Sequence, residues 1–188
     1  MAKDVVLSVM ALDRVGIVAG LTGAIVDLGG NIDAMSQTVM RGYFTIIMTV
    51  HFDQDVTADA VIAAVKRRGR GGELEVSVKE RRVLQPGPVV AQGQRFILTI
   101  VGPDRKGVMN RVTSHLASRN INIEDLYAWA EGAGFQLIAQ LQVPQELDVE
   151  RLQMDVGSLW PPGEMKVSLQ HENVFLATNE VEFRHKPS

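Results

Sequence analysis

Apolar residues along this chain alternate between two spacings, and the alternation runs through twice. Val5 to Leu12 is a short apolar run rich in β-branched residues, the mark of a buried strand. Ile17, Leu21, Ile25 and Leu28 then recur at helical spacing on one face. Asp13 stands where an N-cap is expected, and Gly29-Gly30-Asn31 can stop the helix. Two strands follow, Ile32 to Met40 and Tyr43 to Phe52, joined at Arg41-Gly42 by a tight hairpin signal. Ala58, Val61, Ile62 and Val65 mark a second helix, with Thr57 or Asp55 as its cap. Leu74 to Val78 alternates apolar and polar residues and closes the series as a strand.

The second half repeats the first at an offset of 91 positions. Asp13, Arg14 and Gly16 fall on Asp104, Arg105 and Gly107, Asn31-Ile32 falls on Asn122-Ile123, and Phe44 and Ile47 fall on Phe135 and Ile138. Strands are expected at Arg95 to Val101, Ile123 to Ala130, Phe135 to Val143 and Met165 to Leu169. Helices are expected on the stripes Val108, Val112, Leu116 and Val149, Leu152, Val156, Leu159, capped by Asp104 and Asp148. Each half therefore reads β-α-β-β-α-β. That order predicts an α+β chain of two ferredoxin-like units, each a four-stranded antiparallel sheet with two helices on one face. The expected divisions are a first domain over 1–83, a linker over 84–94 carrying Pro86-Gly87-Pro88, a second domain over 95–171 and a C-terminal extension over 172–188. In the extension, Val174 to Ala177 or Val181 to Phe183 is expected as an added strand, with Arg184 to Ser188 frayed.

Composition narrows the classes. Hydrophobic residues make up 46% and charged residues 22%, enough apolar material for a core in each half. A net charge of −3 gives no general pull toward nucleic acid or an anionic membrane. The chain has no cysteine, which excludes disulfides and thiolate metal sites and fits a reducing cytoplasm. No segment approaches the ~20 apolar residues of a membrane span, and the N-terminus does not read as a signal peptide. His51, His115, His171 and His185 lie apart, without the clustering a metal site needs. No phosphate-cradling glycine loop, dinucleotide fingerprint or nucleophile elbow is present, so no cofactor and no catalytic residue are expected. The basic run Lys66-Arg67-Arg68-Gly69-Arg70 suits the negative end of a helix dipole. A nucleic-acid patch is the minority reading.

Two duplicated loops carry the candidate chemistry. The first joins strand one to helix one: Leu12-Asp13-Arg14-Val15-Gly16 and Pro103-Asp104-Arg105-Lys106-Gly107. A helix N-terminus offers free amide donors and partial positive charge to a carboxylate or phosphate. Glycine removes a side chain from the path of approach, and Arg14 and Arg105 add charge. The plain structural account is that Asp13 caps the helix; the two accounts are compatible. The second loop joins helix one to strand two at Gly29-Gly30-Asn31-Ile32 and Arg119-Asn120-Ile121-Asn122-Ile123. An asparagine side chain both donates and accepts, so it can grip an ammonium or a carboxylate. Alternatively Asn31 and Asn122 simply adopt a turn conformation.

The βαββαβ order, the Asp-Arg-x-Gly turn and the Asn-Ile lead into strand two resemble the ACT-domain family over about residues 4–80 and 95–171. A tandem pair with this turn is similar to the glycine cleavage system transcriptional repressor family. The resemblance implies a regulator rather than an enzyme, with an amino acid or related effector held between paired units. It implies ligand contacts at Asp13, Arg14, Val15, Gly16, Asn31 and Ile32, and at Asp104, Arg105, Gly107, Asn122 and Ile123. A homodimer is expected, since sheets paired edge to edge would cover exposed strand edges, with a transcription regulator as partner and no direct nucleic-acid or membrane contact. Relatives often carry proline before the turn glycine, where this chain has Val15 and Lys106. The alternatives on the same fold are an acylphosphatase-like hydrolase, for which Arg14 with Asn31 is a poor pair, and an RNA-binding module. At 5% aromatic residues, the chain is short of the base-stacking rings such a module needs.

Overall fold

A computed structural model of the chain describes residues 2–81 and 93–178. They form two compact units, divided near residue 84. In the first, β1 (Lys3–Leu12), α1 (Ile17–Asp27), β2 (Gly30–Met40), β3 (Tyr43–Phe52), α2 (Ala58–Arg68) and β4 (Glu75–Glu80) follow in order. The sheet runs β2-β3-β1-β4 and every neighbouring pair is antiparallel. Strand side chains alternate between faces, and only one face of β1 is buried: Val5, Leu7, Val9 and Ala11 point into the core. They meet Phe44, Ile46, Met48, Val50 and Phe52 of β3, the stripe Ile17, Leu21, Ala24 and Ile25 of α1, and Val61, Ala64 and Val65 of α2. One sheet face against two helices is thus the whole core. Each large side chain buried in it contributes roughly 1.5–3 kcal/mol.

The second unit repeats the plan with β5 (Gly93–Pro103), α3 (Val108–Ser118), β6 (Asn122–Glu131), β7 (Gly134–Pro144), α4 (Val149–Gly157) and β8 (Lys166–His171). Its sheet order is β6-β7-β5-β8, again antiparallel throughout. β5 opens at Gly93, two residues ahead of the expected Arg95. The Pro86-Gly87-Pro88 segment, Val181 to Phe183 and the last five residues lie outside the described residues. Val174 to Ala177 is not a strand. It belongs to α5 (Glu172–Thr178), which follows β8 directly and lies against β5 and β8. Gln140 Nε2 donates to Glu172 Oε1 at 2.8 Å, and the Thr178 hydroxyl donates back to the Val174 carbonyl. Gln140 pairs with Ile97 across the ladder, so α5 covers the sheet face opposite the core. Ile97 on that face is only 3% exposed. Four residues of mixed spacing do not separate a strand from a helix turn; contact with the sheet decides.

Backbone conformation explains the loops. Asp13 and Asp104 are not the N-caps: these are Gly16 (φ 91°) and Gly107 (φ 85°), and no side chain caps either helix. The Asp13 and Asp104 amides donate instead to Gly42 and Ala133 at the hairpin tips, which ties each turn to the sheet. An aspartate three residues too early cannot reach the first free amides. No neighbouring part of the protein requires a missing Cβ here. A Cβ on Gly107 would touch nothing within 4 Å, and one on Gly16 would meet only the tip of Arg14. The requirement is the left-handed φ, which a side chain makes costly. At the other end of the first helix, Gly29 (φ 71°) and Asn120 (φ 58°) occupy equivalent left-handed positions. Asn31 and Asn122 are extended, at the starts of β2 and β6, so the turn conformation expected of them falls to Asn120 alone. Arg41 and Gly42 both have positive φ, as a type I′ hairpin requires. Thr57 and Asp148 cap α2 and α4, accepting from the Ala60 and Arg151 amides.

Gly16→Ala and Gly107→Ala should each lower stability by about 1–2 kcal/mol through φ alone. Gly30→Ala should do so by a different route, about 1–3 kcal/mol of overpacking, because its Cβ would lie 2.5 Å from Phe52 and 2.8 Å from Ile25. Urea unfolding of the three variants checks both. A Gly16→Ala protein as stable as the parent would show the turn to be unstrained.

Candidate functional site

The turn before the first helix is built twice, and in each copy its arginine is held by a glutamate from a distant loop. In the first unit Arg14 Nε and Nη2 donate to Glu73 Oε1 and Oε2 at 2.5 and 2.9 Å, and Nη1 donates to the Val15 carbonyl at 3.3 Å. The Arg70 amide donates to Glu73 Oε2 at 2.8 Å. In the second unit Arg105 Nε donates to Glu164 Oε1 at 2.9 Å. Both pairs span 59 residues, and Glu73 and Glu164 are themselves related by the 91-residue offset. Both glutamates stand in the loop between the unit's second helix and its last strand. This loop sits beside the turn because the last strand runs antiparallel to the first, with Glu75 opposite Met10. The contact is absent from the sequence reading of the site. The signal was available: an acidic residue repeated at the same offset as the arginine it meets.

The clamp shapes the electrostatics of the turn. The Arg14 guanidinium, joined by the Arg70 amide, holds the Glu73 carboxyl at about 2, well below its ordinary 4.5. The same pairing raises Arg14. Asp13, Val15 and Gly16 are exposed, as are Asp104, Arg105 and Gly107. Val15 is 99% exposed and points into solvent. No side chain caps α1 or α3; the Val108 amide donates to the Arg105 carbonyl at 3.3 Å within the turn, and the uncapped helix starts beside these residues suit an anionic acceptor.

The asparagine corner is not beside the turn. Within a unit the two lie at opposite ends of the first helix, which has 11 residues and so a length of about 16 Å. Asn31 and Asn122 are exposed, while Ile32 and Ile123 pack against the two cores. Directly after each isoleucine the strand slips register at a bulge, at Asp33 and again at Glu124. Asn31 stands opposite His51, whose Nδ1 lies 2.6 Å from Asp4 Oδ1. The hydrogen bond to Asp4 raises His51 above its usual value. The structure therefore brings Asp13 to Gly16 together with Glu73, and Asn31 with His51 and Asp4. It does not bring the turn and the corner of one unit to a common point. A separate open trough of about 570 Å³ lies over the outer sheet face of the first unit, floored by Ser8, Ser36, Thr38 and Thr45. It touches neither loop and has little enclosure, so the loops remain the better candidates. Among the described residues no cluster of three metal-ligating side chains occurs, and no helix is long and apolar enough to cross a membrane.

Two family models, both described as the ACT domain, match residues 5–70 and 94–167. A UPF0237 protein of Listeria innocua is 39% identical over 77 residues, 41% of this chain and 85% of that protein, which is thus about the size of one unit. Among solved structures, a protein of unknown function from Galdieria sulphuraria is similar over 91% of this chain and 99% of its own (TM-score 0.71, 21% identity). A protein assigned as a glycine cleavage system transcriptional repressor is similar over 90% and 97% (TM-score 0.60, 18% identity). At these identities the two structures speak to the fold.

The clamp predicts an acid dependence. Glu73 titrates near 2 when folded and near 4.5 when unfolded. Its contribution to stability is therefore complete above about 4.5 and disappears as pH falls toward 2. Glu73→Gln should flatten the loss of stability across that window, measured as the urea midpoint at a series of pH values. A variant as acid-sensitive as the parent would show that the pair does not act this way.

Proposed function

Because this chain belongs to the ACT-domain family in both of its units, we propose that it is a regulatory protein. In this reading it binds an amino acid or a related small molecule and signals through a ligand-dependent protein contact. The observation that carries this is the same uncapped glycine turn at the same place in both units. The amides at Gly16 or Gly107 and the helix start take the ligand's carboxylate, since they carry partial positive charge without a competing side chain. The amide oxygen of Asn31 or Asn122 takes the ammonium.

A turn and a corner separated by the length of α1 cannot both touch one amino acid. The ligand therefore bridges a turn in one copy of the chain and a corner in a second copy, which makes the site a property of the dimer. A homodimer supplies the second partner. A ligand that bridges two units binds one arrangement better than the other and shifts the population toward it by that difference. The chain acts without catalysis and in the cytoplasm. The contacted partner is a transcription regulator controlling glycine cleavage or amino-acid metabolism, a direction prompted by the tandem fold shared with the repressor-like protein.

Calorimetric titration with glycine, serine and the remaining amino acids tests this. At least one should bind saturably, with affinity about tenfold weaker in Asn31→Ala or Asn122→Ala. Absence of binding by every amino acid, in a sample folded by circular dichroism, would overturn the reading.

A further inference from the structure

The two turns share a clamp but not its completeness. In the first unit Arg14 is spent: all three guanidinium nitrogens have acceptors. In the second, Arg105 meets Glu164 through Nε alone, and its Nη atoms have no acceptor among the described residues. Arg105 is also the more open side chain, 64% exposed against 26% for Arg14. Beside it lies a cavity of about 270 Å³ lined by Arg105, Lys106, Arg111, Trp160, Pro161 and Glu164. Three cations against one carboxylate give its walls a net charge of +2. Lys106 makes no hydrogen bond or ion pair among the described residues, and Arg111 uses one Nη on the Leu159 carbonyl at 3.3 Å.

The first unit differs at four of these six positions. At the positions of Lys106, Arg111, Trp160 and Pro161 stand Val15, Gly20, Gly69 and Arg70. Gly20 lets the second helix come close, so that a Cβ there would lie 3.4 Å from the Arg68 Cβ, and Arg68 is itself paired with Asp27. In that unit the second helix packs close at Gly20, and the arginine is saturated. In the second unit the cavity is open and lined with unspent donors.

We propose that the cavity of the second unit is a site for a small dianion, a dicarboxylate or a phosphate monoester. The first unit, in contrast, has no such site. Arg105 Nη, Lys106 Nζ and the free Nη of Arg111 supply the charge-assisted hydrogen bonds, and Trp160 and Pro161 supply an apolar wall. Two negative charges neutralise the walls, and the volume admits a metabolite of a few carbons. This inference rests on reading the turn as a ligand site and adds the ligand's charge.

The test is calorimetry on the full chain with succinate, O-phospho-L-serine and L-serine. Succinate or phosphoserine should bind at one site per chain, the stronger of the two identifying a carboxylate or a phosphate as the natural group. Lys106→Val, which installs the first unit's residue, and Arg111→Gln should each weaken that binding about tenfold or more. Both side chains are exposed, so the variants should keep the parent's thermal melt. Saturable binding of neither dianion, or binding indifferent to both substitutions, would overturn the proposal. If L-serine binds and the dianions do not, the regulatory reading survives and this one falls. If the dianions bind as described and no neutral amino acid does, the dianion site stands and the amino-acid ligand is replaced.

Discussion

A steric constraint at one residue per unit underlies the turn that joins the first strand of each unit to its first helix. The chain leaves β1 or β5 at the sheet's end and must reverse into a helix that packs back over the same sheet. It does so through a residue at φ near +90°, Gly16 or Gly107, a conformation in which a Cβ would crowd the backbone. Because glycine brings no side chain, no side chain caps the first amides of the helix. The geometry that allows the fold to close therefore also leaves a donor-rich end at the surface. A serine or aspartate at that position would satisfy the amides and remove them from use.

The arginine–glutamate clamp builds on this turn. The Asp13 or Asp104 amide ties the turn to a hairpin tip, and pairing its arginine with the loop before the last strand adds a second tie. The pair spans 59 residues, so it joins parts of the chain that only the completed sheet brings together. Its presence in both units marks it as part of the shared scaffold. The way it is completed differs: bidentate and reinforced by the Arg70 amide in the first unit, single in the second. Duplication preserved the device, and divergence around it changed what the arginine has left to offer.

A similar economy operates on the sheets. Each unit needs one sheet face for its core, which leaves the other in contact with whatever the chain can supply. In the second unit α5 takes part of that face and buries Ile97. In the first unit the outer face keeps Met10 and Ile47 exposed over a trough of small hydroxyl side chains. The units thus share topology while differing at the turn and on the outer face, the two surfaces open to change without disturbing the core.

The local pattern of residues determined the element order, the duplication, the hairpins and the α+β class. Those depend on spacings of two or 3.6 residues and on turn chemistry, all contained within a few neighbours of each position. It also placed a turn at Asp13 to Gly16 and Asp104 to Gly107, though not the backbone role of each residue in it. Glycine, and not aspartate, begins the helix, because backbone φ rather than side-chain type decides where the first turn can form. What only the tertiary structure decided are relations across long separations. Glu73 meets Arg14, Glu164 meets Arg105, α5 settles on the sheet, and Asn31 lies a full helix away from the turn it was expected to join. Each follows from strand order and helix length in three dimensions, where distance along the chain no longer measures distance in space.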